Sequence, residues 1–373
     1  MSNGIIVHDW IEAAGGAERV LDSFAAVFPD ERIFTLWSDA PDRFPAQRIG
    51  ESWLAHTPLR HRKAIALPFM LPTWRNLKSS DASWILVSSH LFAHHAKLRG
   101  TQRDIPKLVY CHTPARYIWE PSLDKRGSGM LTRSIAALVK PIDRKRARDA
   151  ASIAANSQFV QERIRRTWGV ESRVIYPPVD TARLARSTPW RDELSSSERE
   201  QFTRLPESYL LGASRFVPYK RLEQVIAAGE ATGQDVVLAG GGPDKPRLLD
   251  AARDANTNVM FIDAPSDQML YALMEGASAF VFPGVEDFGI IPVEAMALGT
   301  PAIVNSTGGS SESIRITGGG ESVTSFTADE WRRAFSAVKQ LDRQEIRERT
   351  RISFSRQRFE REIKSWVDEV VGS

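Results

Sequence analysis

The segment Phe280–Ala297, FVFPGVEDFGIIPVEAMA, combines a strand, a polar loop and the start of a helix. Its first residues are apolar and aromatic up to Pro283, which is typical of a buried strand. A loop with Glu286 follows, and Pro292 predicts a helix start with Glu294 in the first turn. The segment therefore predicts one carboxylate on a loop and a second carboxylate beside a helix N-terminus.

The same alternation of short β-branched runs and helical stretches extends over nearly the whole chain. Predicted strands occupy residues 5–8, 33–37, 84–88, 107–111, 152–155 and 173–176, and then 209–214, 235–239, 258–262, 279–282 and 302–304. This pattern predicts an α/β fold of two Rossmann-like, doubly wound parallel-sheet domains that face a cleft. Ligands of such sheets bind at the carboxyl ends of the strands.

A polar stretch between the two sets of strands predicts the domain boundary. Residues 181–208 are rich in Arg, Glu, Ser and Pro, so we expect a surface crossing near residue 205. The domains would then span 1–205 and 206–354. Residues 355–373 carry an apolar stripe that includes Phe359, Ile363 and Trp366, which predicts a helix able to dock on either domain, including a return to the first.

Composition excludes several classes of protein. The 373 residues carry 49 Lys and Arg against 46 Asp and Glu, so the net charge of +3 does not suit a disordered acidic or basic tail. Cys111 is the single cysteine, which leaves no internal disulfide and favours a cytoplasmic location. No apolar run in the sequence is long enough to span a bilayer.

Two cations follow the predicted strand that ends at Ser214. Arg215 can bind a diphosphate in a bidentate manner and Lys220 can act as a point charge. The alternative is a solvated basic helix start, which the helix dipole disfavours. The Gly240-Gly241-Gly242 turn follows the next strand and offers its backbone to a ligand, although glycine turns are common.

Glycines and a histidine mark the corresponding places in the first domain. Gly15 and Gly16 follow the first strand and can aim helix N–H groups at an anion, although a plain strand-to-helix turn is the better explanation of a lone Gly-Gly pair. Their spacing lacks the GxGxxG pattern of a dinucleotide site. His112 follows another strand, and an ordinary strand-end histidine is its alternative interpretation.

The two carboxylates of the opening segment differ in their alternatives. Glu294 at a helix start is also explained by compensation of the helix dipole. No such explanation applies to Glu286. A carboxylate can accept hydrogen bonds from two hydroxyls of a sugar or a ribose.

With these motifs in this order, the chain resembles the retaining GT-B glycosyltransferases of family 4. Three further stretches, HTPARYIW at 112–119, ANSQFV at 155–160 and YPPVD at 176–180, resemble the mannosyltransferase branch that builds bacterial O-antigen and exopolysaccharide. The resemblance implies transfer of an α-mannosyl unit from GDP-mannose to a lipid-linked saccharide. UDP-glucose, GDP-fucose and dTDP-rhamnose stay open as alternative donors.

The resemblance also implies roles for individual residues. Arg215 and Lys220 would hold the donor diphosphate, and Glu286 with His112 would complete the catalytic set. Glu294 would bind the ribose, and Asp9 would face the acceptor. The remaining donor-binding residues would be Gly15, Gly16, Gly241, Phe261 and Ile262 near the base, and Phe288, Gly289 and Ile290 through their amides.

Retention without an obvious nucleophile implies attack on the face that the nucleotide leaves, with the leaving diphosphate acting as base. Cations and helix N-termini would stabilise the charge on the phosphates. We therefore expect no metal or other cofactor. The sequence has no Asp-x-Asp motif, and His90, His94 and His95 have no partners at zinc spacing.

A basic and apolar segment suggests peripheral contact with the cytoplasmic face of the inner membrane. Arg60, Arg62 and Lys63 precede an apolar run that ends near Trp74. The rim of the acceptor site is an equally good interpretation. A second basic run, residues 140–148, is typical of a solvated helix face.

Two remote alternatives differ in class. A nucleic-acid-binding protein would explain the pI near 9.0, but no nucleic-acid motif accompanies it. A non-catalytic GT-B scaffold would not need Glu286, Glu294, Arg215 and Lys220 together.

Overall fold

The computed structural model describes residues 3–78, 81–100, 104–120 and 130–372. The chain forms two compact units, which are Met1–Pro178 with Gln357–Ser373, and Val179–Arg356. Each unit contains one parallel sheet with helices, which confirms the predicted pair of Rossmann-like domains.

The first unit contains a seven-stranded sheet in the order β3-β2-β1-β4-β5-β6-β7. Its strands are β1 Gly4–His8, β2 Arg32–Thr35, β3 Ile49–Glu51, β4 Trp84–Ser89, β5 Lys107–Cys111, β6 Ser152–Ala155 and β7 Arg173–Val174. Its helices are α1 Gly16–Val27, α2 Lys63–Trp74, α3 Arg116–Trp119, α4 Met130–Ala147, α5 Gln158–Trp168 and the C-terminal α15 Arg356–Val371.

The second unit contains a six-stranded sheet in the order β10-β9-β8-β11-β12-β13. Its strands are β8 Tyr209–Arg215, β9 Asp235–Gly241, β10 Val259–Asp263, β11 Ala279–Phe282, β12 Ala302–Asn305 and β13 Gly320–Val323. Its helices are α6 Thr181–Leu184, α7 Ser196–Thr203, α8 Glu223–Thr232, α9 Lys245–Asp254, α10 Asp267–Gly276, α11 Ile290–Ala297, α12 Ser310–Thr317, α13 Ala328–Val338 and α14 Arg343–Phe354.

The strands β3 and β13 lie at sheet edges and were not among the predicted strands. Both are short, both contain a glycine, and most of their residues are exposed or half-buried. They therefore lack the apolar run by which the buried strands are recognised. Pairing with a neighbouring strand, and not the local pattern, makes these segments extended.

The boundary between the units lies at residues 178 and 179, and not near 205 as the polar stretch suggests. The stretch carries Trp190, which is 2% exposed and lies against Tyr271 with ring centroids 4.8 Å apart. The Trp190 backbone N–H also donates to Glu275 at 2.8 Å. A few buried side chains in a polar stretch thus attach residues 179–205 to the second unit.

The C-terminal helix α15 packs on the first unit. Phe359 stacks on Phe24 with centroids 6.0 Å apart, and Trp366 is 1% exposed. The indole N–H of Trp366 donates to Ser152 Oγ at 2.8 Å. The apolar stripe of α15 is therefore a face of the first unit's core, and the chain passes between the units twice.

Each sheet has one pair of central neighbours from which the strand order runs in opposite directions. These pairs are β1 and β4 in the first unit and β8 and β11 in the second. Loops after such a pair leave in opposite directions and open a crevice at the carboxyl ends of the strands. His8 ends β1 and Arg215 ends β8, so both predicted site regions lie at these crevices.

None of the helices in the described ranges combines the length and the apolar character that crossing a bilayer requires.

Candidate functional site

A partly buried ion pair lies at the crevice of the second unit. Lys220 Nζ is 2.6 Å from Glu286 Oε1, and the side chains are 12% and 16% exposed. Lys220 Nζ also lies 5.3 Å from the ring centroid of Phe282. The loops after β8 and β11 thus bring together two predicted site residues that are 66 positions apart in sequence.

The sequence pattern suggests that the cations open a helix. In the structure they precede helix α8 instead. Strand β8 ends at Arg215, a 3₁₀ turn spans Pro218–Lys220, and α8 starts only at Glu223. Arg221 between them has a left-handed φ of 54°, which separates the turn from the helix. The unfavourable interaction with the helix dipole, used above as an argument for function, therefore does not apply to Lys220.

Arg215 lies at the exposed end of β8, and its Nη2 is 3.4 Å from Tyr219 Oη. The turn after β9 packs directly against the backbone that follows β8. Gly240 and Gly242 have φ values of 138° and 149°, and a Cβ on them would lie 2.0 Å from Ser214 O and 2.5 Å from Phe216 O. A Cβ on Gly241 would meet nothing within 4 Å. The flanking glycines are thus explained by packing, while Gly241 offers open backbone.

The Glu286 loop is held by a second glycine turn, at residues 308 and 309. The Gly309 N–H donates to Glu286 O at 2.8 Å, and Asn305 Nδ2 donates to Pro283 O at 2.9 Å. Gly289, at the N-cap of α11, has a φ of 84°, and a Cβ there would lie 2.1 Å from Ser310 Oγ. These contacts fix the loop on which Glu286 lies.

Glu294 does not lie in the first turn of its helix. Helix α11 begins at Ile290, two residues before Pro292, so Glu294 falls in the second turn and is 5% exposed. Compensation of the helix dipole, the alternative explanation for this carboxylate, is confined to the first turn. The first N–H groups of α11, including those of Gly289 and Ile290, have no acceptor within the helix.

Three apolar residues of the predicted donor site are packing residues. Phe288 is 3% exposed and its ring lies 5.6 Å from that of Phe354. Ile262 is 5% exposed, and the Phe261 ring lies 6.3 Å from that of Phe216. A contact of Phe288 or Ile262 with a ligand would therefore use their backbone groups, whereas Phe261 is half-buried.

A hydrogen-bonded chain of polar side chains lies at the crevice of the first unit. His8 Nδ1 is 3.0 Å from Ser88 Oγ, and Ser88 Oγ is 2.8 Å from His112 Nε2. Of these residues only His112 was predicted as a site residue. The signal for the others is polar side chains at the ends of otherwise apolar strands.

Glu18 lies beside the far end of this chain. Its Oε1 is 3.9 Å from His8 Nε2 and accepts the backbone N–H of Glu12 at 3.2 Å. Burial by itself raises the pKa of Glu18, but the interactions with His8 and backbone N–H groups outweigh it and lower the pKa to about 2. Glu18 is therefore an ionised carboxylate inside the first unit. A Cβ on Gly15 would lie 2.1 Å from Glu18 Oε2, so Gly15 leaves room for this carboxylate.

His112 is neutral, because burial holds its pKa well below the usual value and the neighbouring His90 and His8 lower it further.

The acceptor role expected for Asp9 is wrong. Asp9 is fully buried, and its two carboxylate oxygens accept the backbone N–H groups of His90, Leu91, Phe92 and Ala93 at 2.8–3.0 Å. The carboxylate closes the turn after β4 and has no free surface for a ligand. A strand-end aspartate looks the same in sequence whether it binds a substrate or a turn.

The expected membrane segment also needs correction. Trp74 is fully buried, so it cannot contact a membrane. Arg60 pairs with Asp39 at 2.6 Å, and Lys63 pairs with Glu12 and lies over the Trp10 ring. The exposed apolar side chains near this segment are instead Trp53, Ile65 and Phe69, at 52%, 54% and 43%.

In the described part of the chain, His94, His95 and Asp143 form a buried group with the composition of a metal site. Asp143 lies 48 residues after His95, which explains why zinc spacing could not reveal it. Asp143 Oδ1 accepts His94 Nε2 at 3.0 Å and His95 Nε2 at 2.9 Å. Oδ2 accepts the indole N–H groups of Trp119 and Trp168, each at 2.7 Å. Four donors saturate the carboxylate, so these residues fit a hydrogen-bond network better than a metal.

The ionisation of this group agrees with that network. Burial lowers the pKa of His95 to about 4, so the imidazole is neutral near neutral pH. Burial alone raises the pKa of Asp143, but His94 and His95 outweigh it and hold the pKa well below its usual range. A neutral histidine that donates through Nε2 to a carboxylate is a structural arrangement.

Comparison with known protein families matches both units. Residues 196–353 match the sequence model of the group 1 glycosyl transferases, and residues 14–183 match that of glycosyltransferase family 4. The two matched segments follow one another along the chain and include nearly all the site residues described above.

Three relatives illustrate the similarity in sequence. The human α-1,3/1,6-mannosyltransferase ALG2 is 26% identical over 247 residues, 60% of this chain and 55% of its own. The GDP-mannose-dependent monoacylated α-(1-6)-phosphatidylinositol monomannoside mannosyltransferase of Corynebacterium glutamicum is 27% identical over 175 residues, 42% of this chain and 45% of its own. An uncharacterised glycosyltransferase of Methanocaldococcus jannaschii is 29% identical over 150 residues, 38% of each chain. The chain thus spans about half the length of these relatives, or less.

Solved structures show the same fold over the full length. HepE of Anabaena, solved with UDP and glucose, superposes with a TM-score of 0.69 at 18% identity, covering 98% of this chain and 100% of that one. Sucrose-phosphate synthase of Thermosynechococcus elongatus gives a TM-score of 0.69 at 16% identity, covering 99% of both chains.

The two parallel-sheet units give the chain the fold of the GT-B glycosyltransferases. With the family matches, the chain belongs to the family 4 GT-B glycosyltransferases.

The buried carboxylate of Asp143 allows a stability test. Asp143→Asn replaces a carboxylate oxygen that accepts two hydrogen bonds with an NH₂ group, which accepts none. Two buried N–H donors therefore lose their partner. We expect the free energy of unfolding of the first unit to fall by about 3 kcal/mol, measured by urea unfolding. Asp149→Asn, which removes a partly exposed ion pair with Arg75, should cost less than about 1 kcal/mol.

The same group makes stability depend on pH. The folded pKa of His95 lies below the unfolded value, so its contribution is complete above about pH 6.5 and is lost as the pH falls through about 4. Zinc or EDTA should not move the unfolding midpoint. A midpoint that rises with zinc would contradict the hydrogen-bond assignment.

Proposed function

We propose that the chain transfers an α-mannosyl unit from GDP-mannose to a lipid-linked saccharide acceptor in the synthesis of a cell-surface polysaccharide. The Lys220–Glu286 ion pair at the crevice of the second sheet is the observation on which this proposal depends. The mannose donor is supported by relatives named as mannosyltransferases, one of them GDP-mannose-dependent. The sequence motifs at 112–119, 155–160 and 176–180 support the same branch.

The cations would hold the donor diphosphate. Lys220 is partly buried against Phe282, where a charge interacts more strongly than in open water. Arg215 is exposed, and its Nη2 lies 3.4 Å from Tyr219 Oη. Its guanidinium can bind phosphate oxygens in a bidentate manner. The amide of Gly16 at the start of α1 would assist, and Gly241 would offer open backbone.

The carboxylates would bind hydroxyl groups. Glu286, held beside Lys220, would contact the donor sugar where that sugar joins the diphosphate. Glu294 would accept the ribose hydroxyls, and the amides at the start of α11 would donate to phosphate. His112 would contact the donor sugar.

The proposed mechanism is front-face attack. The bond between the anomeric carbon and the diphosphate breaks through an oxocarbenium-like state. The acceptor hydroxyl then adds on the same face, and its proton passes to the leaving diphosphate. Positive charge around the diphosphate stabilises the leaving group, so Lys220 and Arg215 replace a metal in this proposal.

Alternative donors keep the same fold and mechanism. UDP-glucose has a specific observation in its favour, since the similar HepE structure was solved with UDP and glucose. GDP-fucose and dTDP-rhamnose are further alternatives. A binding experiment separates all of these.

A thermal-shift panel with GDP, UDP, dTDP, GDP-mannose and UDP-glucose tests the donor. A ligand that binds only the folded state raises stability in proportion to RT ln(1 + [L]/Kd). We expect the unfolding midpoint to rise with GDP and GDP-mannose, and to rise equally in EDTA. A shift with UDP or dTDP compounds alone would replace the donor. No shift with any would favour the scaffold or nucleic-acid alternatives.

Lys220→Ala should lower transfer about 100-fold, because one stabilising charge leaves the diphosphate. Transfer of radiolabelled sugar from GDP-mannose to a lipid-linked saccharide measures this. Lys364→Ala, which removes an exposed lysine paired with Asp368 on α15, is the matched control and should keep wild-type turnover. Wild-type turnover in Lys220→Ala would remove this residue from the site.

We also propose peripheral contact with an anionic membrane, through a surface that differs from the expected one. Trp53 and Phe69 lie edge to face with centroids 6.1 Å apart, and Ile65 lies on the same helix as Phe69. Arg62 immediately precedes this helix and is exposed. Apolar side chains beside a cation suit the boundary of an anionic bilayer, where each cation contributes about 1 kcal/mol.

Flotation with phosphatidylglycerol-containing liposomes tests this surface. The triple variant Arg62→Ala, Trp53→Ser and Phe69→Ser should float several-fold less than the wild type. Leu249→Ser, at an exposed leucine of the second unit, is the control. Equal flotation of the triple variant and the wild type would favour the rim of the acceptor site.

A further inference from the structure

The polar chain of the first unit extends from Glu18 to His112. Strands β1 and β4 are direct neighbours, and His8 is opposite Ser88 in their register. Strand β5 follows on the other side of β4, and His112 comes directly after it. Side chains of three adjacent strand ends therefore meet in one row at the crevice.

Hydrogen counting limits how this row can be arranged. Ser88 Oγ carries one hydrogen and lies between two imidazole nitrogens, at 3.0 Å from His8 Nδ1 and 2.8 Å from His112 Nε2. It can donate to one of them only, and when both imidazoles are neutral it must accept from the other for both contacts to be hydrogen bonds. The tautomer of His112 is thus tied to that of His8.

Glu18 selects one of the two arrangements. Its ionised carboxylate faces His8 Nε2 at 3.9 Å, which favours a proton on that nitrogen. In a neutral His8 the other nitrogen, Nδ1, is then an acceptor, so the Ser88 hydroxyl donates to His8. Ser88 must in turn accept, and His112 Nε2–H supplies the proton. His112 Nδ1 is left with a free lone pair.

Other groups around Glu18 and His8 favour the same order of hydrogen-bond donors and acceptors. The carboxylate of Glu18 also accepts the Glu12 N–H and lies in the first turn of α1, where negative charge is favourable. His90 is a further titratable neighbour of His8, and its ring lies 5.5 Å away. Burial lowers the pKa of His90, so it does not add a positive charge near neutral pH.

We propose that Glu18, a neutral His8 and Ser88 are positioning residues that hold His112 as the Nε2–H tautomer, so that Nδ1 accepts a hydrogen bond from a hydroxyl of the bound sugar. This inference rests on the proposed function for the identity of the ligand. It also gives a reason for the Gly-Gly-Ala-Glu sequence after β1. Gly15 leaves the space that the Glu18 carboxylate occupies.

The tautomer can be read without substrate. Protein labelled with ¹⁵N-histidine is examined by two-bond ¹H–¹⁵N correlation at neutral pH, and His112→Gln identifies the signals of His112. We expect a protonated shift for His112 Nε2 and an unprotonated shift for Nδ1. A proton on Nδ1 in the wild type would overturn the proposal.

Ser88→Ala and Ser89→Ala form a matched pair for the role of the chain. The two serines are adjacent on β4 and nearly fully buried, but the Ser89 hydroxyl contacts His94 at 3.2 Å and not His112. Ser88→Ala should convert His112 to a mixture of tautomers, and Ser89→Ala should not. If Ser88→Ala does not fold, Gly15→Ala displaces only the Glu18 carboxylate and should give the same mixture. An unchanged tautomer in the variant that folds would overturn the proposal.

Kinetics separate this proposal from the proposed function. Ser88→Ala should lower kcat/KM for transfer about tenfold, the effect of one hydrogen bond, with unchanged affinity for GDP. If the wild-type enzyme transfers mannose but His112 has the opposite tautomer, only the proposed positioning of His112 by Glu18, His8 and Ser88 is overturned. An enzyme with the expected tautomer that transfers no sugar from any donor would overturn only the function.

Discussion

The ion pair between Lys220 and Glu286 depends on the pairing of β8 with β11 more than on any local feature of either loop. Parallel pairing places the carboxyl ends of both strands at one edge of the sheet, and the reversal of strand order there opens space between the loops. A lysine and a glutamate separated by 66 residues can then share a hydrogen bond of 2.6 Å. The pair leaves neither charge alone in a partly buried place, which would be costly.

Glycines make the crevice of the second unit possible by letting backbone approach backbone. Gly240 and Gly242 bring the turn after β9 against the residues after β8, and Gly309 brings the turn after β12 against the Glu286 loop. In each case a Cβ would lie closer than 3 Å to a carbonyl oxygen, which no side-chain rotation could relieve. Gly241 is different, because the space around it is open. A glycine-rich turn therefore combines packing positions with a position that can face a ligand.

Buried polar groups organise the first unit in two separate places. Asp143 collects four N–H donors from two histidines and two tryptophans, and Asp9 collects four backbone N–H groups. Both carboxylates are saturated, so they stabilise structure and leave no acceptor for a ligand. The row of polar side chains from Glu18 to His112 differs from these two saturated carboxylates, since it ends in a half-buried imidazole at the crevice. The number of unused hydrogen-bond positions, and not burial alone, separates structural polar groups from candidate site residues.

The sequence by itself determined the alternation of strands and helices, the two sheets and the candidate roles of Glu286, Arg215 and Lys220, because buried parallel strands and the loops after them have local signatures. It also predicted the helix that carries Phe359 and Trp366, but not the unit on which this helix packs. Only the tertiary structure decided that Asp9 and Trp74 are buried, that residues 179–205 join the second unit, and that His8, Ser88 and Glu18 lie in one row with His112. The physical reason is that burial and hydrogen-bond partners depend on residues that are distant in sequence, and no local pattern contains that information.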